Sequence, residues 1–223
     1  MFIISEREKQ RSAQPEAASP ETGVTVELAN QDERKTGPRY DDIIQAAINV
    51  FARTNYDKAT TAMIAREAGV AEGTPFRYFK SKKGIFLACY RHIERLMVER
   101  YTQVYRETKD RPIEYLRGVA KTYVEFLLEN PNMRKFLAFI LCNSFDEDFF
   151  SELKDFMERN VQATESMLRK AIENGELRES VDPKAAAWLF AGGYFTFILM
   201  TELGVEEIKD PDYVNRMIDL VIQ

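Results

Sequence analysis

From Tyr40 onward the apolar residues recur at three- and four-residue intervals. Ile43, Ile44, Ala47, Val50 and Phe51 make one stripe, which predicts a helix ending near Asn55. A second helix is predicted at about 60–67. Thr60 or Thr61 caps it through the side-chain oxygen, Met63, Ile64 and Ala68 form its apolar face, and Gly69 ends it by accepting positive φ. A third, short helix holds Glu72 to Phe79. Ser81 caps a fourth, whose apolar positions are Phe86, Cys89 or Tyr90, Ile93, Met97, Tyr101 and Val104. Further helices are predicted at about 112–129, 133–142, 147–173, 183–202 and 211–222, separated by Pro131-Asn132, Asn143-Ser144, Asn174-Gly175, Asp182-Pro183, Gly204 and Asp210-Pro211-Asp212. Asp182 followed by Pro183 is an N-cap with proline at the first helical position. No segment alternates with period two and no repeat is present, so the expected class is all-α.

Residues 1–36 have neither periodicity and predict a disordered N-terminal extension. Arg34, Lys35 and Arg39, just before the first helix, suit either a basic arm entering a DNA minor groove or a solvated tail. A chain of 223 residues, 45% hydrophobic and 30% charged, suits one large core or two linked ones. Two cysteines, Cys89 and Cys142, exclude a disulfide framework and a four-cysteine zinc site. The single histidine, His92, excludes any site built on two imidazoles, so no metal and no cofactor is expected. No run approaches about 18 apolar residues and Met1-Phe2-Ile3-Ile4 is too short for a signal peptide, which predicts a cytoplasmic protein with no membrane partner.

Net charge is −5, at face value adverse to nucleic acid. The total conceals an asymmetry: residues 37–90 carry eight basic and five acidic side chains, whereas residues 91–223 carry 18 and 24. A small basic module on a larger acidic body is the charge pattern of a nucleic-acid reader with a separate regulatory part.

The stretch from Thr60 to Phe79 supplies the motif. Two short helices joined by a tight turn containing Gly69 read as a helix-turn-helix, whose second helix enters the DNA major groove. Ala65 and Ala68 are small enough for close helix packing, and Val70 points into the core beside Ile64. Gly73 lets the backbone approach DNA, and Thr74 offers a hydroxyl and a methyl suited to a thymine contact. In Ile64-Ala65, Ala68-Gly69-Val70, Gly73-Thr74, Arg77-Tyr78-Phe79 and Ser81-Lys82, over about 50 residues, the sequence resembles the TetR family of bacterial transcriptional regulators.

The resemblance implies DNA contacts at Thr60, Thr61, Ala71, Gly73, Thr74, Phe76, Arg77, Tyr78 and Lys82, with Phe79 in the core. Arg77 is the candidate base reader through guanine O6 and N7, and Lys82 the candidate phosphate partner. Three departures stand out. Pro75-Phe76 replaces the family's Leu and Tyr, so the third helix is expected to begin late, with Thr74 as cap. Ala71 replaces a Ser or Thr, and Gly84 stands where Glu would close a capping box with Ser81.

Residues 91–223 contain no nucleophile, base and acid set, so no enzyme is expected; a helical enzyme with a vestigial basic module would have to show turnover. The loop Asn143 to Asp148 lacks the glycine-centred spacing of a calcium loop. The resemblance implies a ligand-binding and dimerisation domain instead. Its last two helices would pair with their symmetry mates through Trp188, Phe190 and Phe197, with Phe195 nearby and Gly192-Gly193 permitting close approach. Phe136, Phe139, Ile140, Phe156, Met157 and Phe195, with Phe149 and Met167, are the candidate pocket or else fill the core. The expected partners are a palindromic double-stranded DNA operator, a second copy in a homodimer, and a small apolar or amphipathic effector that releases a repressor. The alternative is a DNA-binding protein of the same fold controlled by a protein partner.

Overall fold

The computed structural model describes residues 38–142, 147–210, 215–216 and 218–220. These form helices α1 (Pro38–Lys58), α2 (Thr61–Glu67), α3 (Gly73–Phe79), α4 (Lys82–Thr108), α5 (Pro112–Glu129), α6 (Pro131–Cys142), α7 (Glu147–Glu173) and α8 (Pro183–Glu202), then a 3₁₀ turn, Glu206–Lys209. The fold is all-α. Residues 215–216 and 218–220 are helical, and the rest of the helix predicted at 211–222 lies outside the described residues. So do the extension at 1–36 with Arg34 and Lys35, the loop at 143–146 and the side chain of Phe149.

Local chemistry sets the boundaries. Thr60, rather than Thr61, caps α2: its hydroxyl oxygen accepts from the Met63 N–H at 3.1 Å. Ser81 Oγ accepts from Gly84 N–H at 2.9 Å at the start of α4, and Asp182 Oδ1 accepts from Lys184 and Ala185 N–H at the start of α8. Gly69, at φ +65°, turns the chain out of α2.

Pro131, expected between helices, and Pro75, expected to delay α3, both sit inside the first turn of a helix. Pro131 opens α6, two residues before the predicted start. Helix α3 begins at Gly73 with Pro75 in third place, and Thr74 is not its cap: Glu72 precedes the helix without a side-chain capping bond. The first N–H groups of a helix have no intrahelical partner, so the one Pro75 lacks is not missed, and its ring is buried.

One core joins the first helices to the body. Ile43, Ile44, Ile48 and Phe51 of α1 pack with Ile64 of α2, Ile85, Phe86 and Ile93 of α4, and Phe136 and Ile140 of α6. The Phe86 ring lies 4.7 Å from Phe136, 5.0 Å from Tyr56 and 5.1 Å from Phe51, centroid to centroid. Asn132 of α6 also donates to the Asn49 carboxamide oxygen of α1 at 2.9 Å. A second core packs Leu116 and Ala120 of α5 against Val161 and Leu168 of α7 and Ala187 and Phe190 of α8.

Helix α8 is long and apolar enough to cross a bilayer by length and composition, yet Ala187, Phe190, Ala191 and Phe197 are buried against its neighbours here. The charged Glu94 of α4 is only 6% exposed and accepts from Arg159 of α7 at 2.7 Å. Burial pushes its carboxyl above the usual range, and the Arg159 bond and charge pull against that. His92 is half-buried beside Arg95; burial first, and the guanidinium second, push its imidazole below the ordinary value.

Cys89 is buried against α1, and desolvation pushes its thiol far above the usual value, whereas Cys142 is exposed. A thiol-reactive chromogenic disulfide should therefore titrate Cys142 quickly in the native protein and Cys89 only after unfolding. Two fast thiols would show that α1 and α4 separate in the folded state.

Candidate nucleic-acid interface

The helix-turn-helix is built on α1. Arg53 of α1 grips both carboxylate oxygens of Glu67 at the end of α2, at 2.9 and 3.3 Å, and this bond holds the Glu67 carboxyl below its ordinary range. Val70 N–H donates to the Ala65 carbonyl at 3.0 Å and completes the turn. Helix α3 docks through Phe79, whose ring lies 5.0 Å from Tyr40, and through half-buried Tyr78, edge-on to Tyr40 at 6.2 Å.

The other side of α3 faces outward. Gly73, Phe76, Arg77 and Lys80 are exposed and follow the spacing of one helical face, while Thr74 is half-buried. Phe76 is 60% exposed, and the Arg77 guanidinium lies 5.6 Å from the Tyr78 ring. Lys80, at φ +67°, takes the left-handed conformation that ends α3 and donates its N–H to the Phe76 carbonyl at 2.8 Å. Sequence reasoning passed over Lys80, although its place three residues after Arg77 was the available signal. Ala71 is exposed in the turn before α3, and Thr61 is half-buried at the start of α2.

Lys82 has protein partners. Its ammonium donates to the Tyr56 carbonyl at 3.0 Å and the Asp57 carbonyl at 3.4 Å, 4.4 Å from the centre of the Tyr56 ring. It thereby satisfies the C-terminal carbonyls of α1 and places positive charge at the negative end of that helix. Gly84 has a steric reason. A Cβ there would collide with the Phe79 carbonyl oxygen, so the missing capping-box Glu reflects the close approach of α3 to α4, and Ser81 caps without it.

In the body, a cavity of about 80 Å³ opens between α5, α8 and the 3₁₀ turn, lined by Tyr123, Val124, Phe190, Tyr194, Phe197 and Ile208 among others. The Tyr123 hydroxyl donates to the Tyr194 carbonyl at 3.1 Å and the rings lie 4.3 Å apart. Among the expected pocket residues whose side chains are described, none lines it. Phe136 and Ile140 are buried in the first core with Phe139 beside them, Phe156 packs edge-on to Tyr90, Met157 joins the second core, buried Met167 lies within it, and Phe195 is half-buried on α8.

Two expected interface residues lie inside instead. Phe190 and Phe197 are buried and line the cavity, whereas Trp188 is 47% exposed and its neighbour Leu189 67%. Helix α8 is apolar on every side, so its pattern did not reveal which face turns inward.

Residues 43–89 match the sequence model of the bacterial regulatory proteins of the tetR family. This stretch, from α1 to α4, is the part of the chain that is similar to the tetR family. The chain is similar to the fatty acid metabolism regulator protein of Bacillus subtilis, 26% identical over 155 residues that span 70% of this chain and 79% of that one. The nucleoid occlusion factor SlmA of Marinobacter nauticus is 26% identical over 149 residues, 67% of this chain and 74% of its own. The fold is shared with the transcriptional regulator FadR from Bacillus subtilis solved in complex with stearoyl-CoA, at a TM-score of 0.72 and 22% identity, covering 82% of this chain and 98% of that one. The match and these relatives point to the same coarse role, a DNA-binding transcriptional regulator.

Because Lys82 caps α1 in the DNA-free protein, Lys82→Ala should lower stability by about 1 kcal/mol, read as an earlier urea midpoint at unchanged slope. An unmoved midpoint would assign the lysine to the surface. Arg77 faces outward, so Arg77→Ala should leave that midpoint in place and relax preference at one operator position by about 1–3 kcal/mol. An identical selection profile for the variant would reduce Arg77 to a phosphate or surface charge.

Proposed function

We propose that the protein is a dimeric, cytoplasmic repressor that holds a palindromic operator through α3 and releases it when an amphipathic small molecule enters the cavity between α5 and α8. Residues 37–90 form the DNA-binding domain in this reading, 91–223 the ligand-binding and dimerisation domain, and catalysis has no part. The observation that carries the ligand half is the apolar cavity itself, open beside Leu189. An acyl chain is the occupant that best suits walls of Phe190, Phe197 and Val124. The stearoyl-CoA in the related FadR complex and the fatty acid role in the name of the Bacillus subtilis relative favour the same chemistry.

Dimerisation is assigned to the outer face of α8, where Trp188, Leu189 and Leu203 are exposed, joined by Leu220 beyond it. A two-fold pair sets two copies of α3 about 34–36 Å apart or a multiple of that, which accounts for a palindrome. The DNA contacts are Thr60, Thr61, Ala71, Gly73, Thr74, Phe76, Arg77 and Tyr78, with Lys82 adding a phosphate contact beside its capping bonds.

Coupling runs through α6. Arg134 of α6 pairs with Glu202 at the end of α8 at 2.6 Å and donates to the Leu127 carbonyl of α5 at 2.9 Å. The same helix meets α1 through Asn132 and Phe136. A ligand that parts α5 from α8 would shift α6 and with it the spacing of the two α3 helices, to the extent that it binds one spacing better than the other.

The test is selection of duplexes from a random pool, then anisotropy titration of the winner with and without a long-chain acyl-CoA. A palindromic winner, weakened at least fivefold by the acyl-CoA, is expected. Tight binding that no amphiphile alters would favour control by a protein partner. Arg134→Met should keep operator affinity while losing most of the acyl-CoA effect; an undiminished effect would remove α6 from the path.

A further inference from the structure

We propose that Phe76 is a specificity-determining residue that reads thymine in the operator by packing its ring on the C5-methyl group of the base. The inference rests on α3 being the helix that enters the major groove. Phe76 is 60% exposed and lies in the middle of the outward face formed by Gly73, Phe76, Arg77 and Lys80.

Two other roles for such a ring are excluded. It is not an anchor, because α3 is held from its opposite side by buried Pro75 and by Phe79 against Tyr40. It is not a hydrogen-bonding phosphate partner, because a phenyl group has no donor, unlike the tyrosine that the family carries here. Removing an exposed phenyl ring from water gains most where the group that meets it is itself apolar.

The DNA major groove offers one methyl group, that of thymine, where cytosine has only a C5–H beside its amino donor and the purines show donors and acceptors. The surroundings of Phe76 suit that approach. One turn earlier, the place where a Gly73 Cβ would stand has nothing within 4 Å, so that part of the same face is open. On the same face, Arg77 and Lys80 provide the cations that hold a polyanion near an apolar contact. The cation nearest in sequence does not cover the ring itself, because the Arg77 guanidinium is placed over Tyr78.

The test uses the full chain and its selected operator, with each thymine replaced in turn by deoxyuridine. That change removes the methyl and leaves base pairing intact. One thymine per half-site should lose about fourfold in affinity on replacement, the worth of one buried methyl. In Phe76→Ala the thymine-to-deoxyuridine ratio at that position should fall to about one, while the operator is still preferred over scrambled DNA. Phe76→Leu should keep part of the ratio. The variants change an exposed side chain, and an unchanged thermal midpoint confirms that they fold. A ratio that survives in Phe76→Ala assigns the methyl to another residue and overturns the proposal, as does an operator in which no thymine responds. A protein that enriches no duplex at all refutes instead the placement of α3 in the groove, so the two failures are distinct.

Discussion

Phe86 stands at the point where the reading helices and the body become one piece. Its ring touches Phe51 and Tyr56 of α1 on one side and Phe136 of α6 on the other, and it lies on α4 only a few residues after the end of α3. Each aromatic pair adds about 0.5–1.5 kcal/mol to the burial of the rings themselves. The larger consequence is rigidity. Close-packed rings tolerate little relative displacement, so the orientation of α3 is tied to the position of α6 rather than to a flexible linker. A body that senses a ligand needs such a joint, because a soft one would absorb the movement before it reached DNA.

The same joint explains why charge is arranged as it is. The pairs that link elements lie at the edges of the cores: Arg53 with Glu67 between α1 and α2, Arg134 with Glu202 between α6 and α8, and Arg159 with buried Glu94 between α7 and α4. A surface pair adds little stability, but a pair that fixes two helices in register decides geometry. The outward face of α3 is different, since its cations Arg77 and Lys80 are exposed and Arg77 lies over the Tyr78 ring. The net negative charge of the chain therefore coexists with an exposed cationic face on α3.

The helices and their ends were legible in the sequence because the signals are local. Thr60, Ser81 and Asp182 cap within three residues, and Gly69 turns the chain where its own φ requires. What failed to show was set by partners distant in sequence. Lys82 bonds to Tyr56, 26 residues away, and Gly84 answers to a carbonyl on the preceding helix. The cavity between α5 and α8 was not legible because α8 is apolar all round, so pattern alone could not distinguish Phe190, which faces α5, from Trp188, which faces out. Phe136, Phe139 and Ile140 were equally consistent with a pocket or a core, and the choice depended on α1 packing across them.

Lys82 shows how one residue answers to both halves of the structure. An ammonium has three N–H bonds, and the Tyr56 and Asp57 carbonyls take two of them. A phosphate accepting the third would meet a cation already fixed in place, so little side-chain entropy would remain to be lost on binding. The same capping bonds hold the C-terminal end of α1 against the start of α4, beside the Tyr56 ring that packs on Phe86. In the proposed reading, the charge offered to the DNA backbone and the aromatic joint between α1, α4 and α6 thus share a single anchoring point. A displacement of α1 relative to α4 would shift both together, and that is the geometric condition for a ligand bound far away to change how DNA is held.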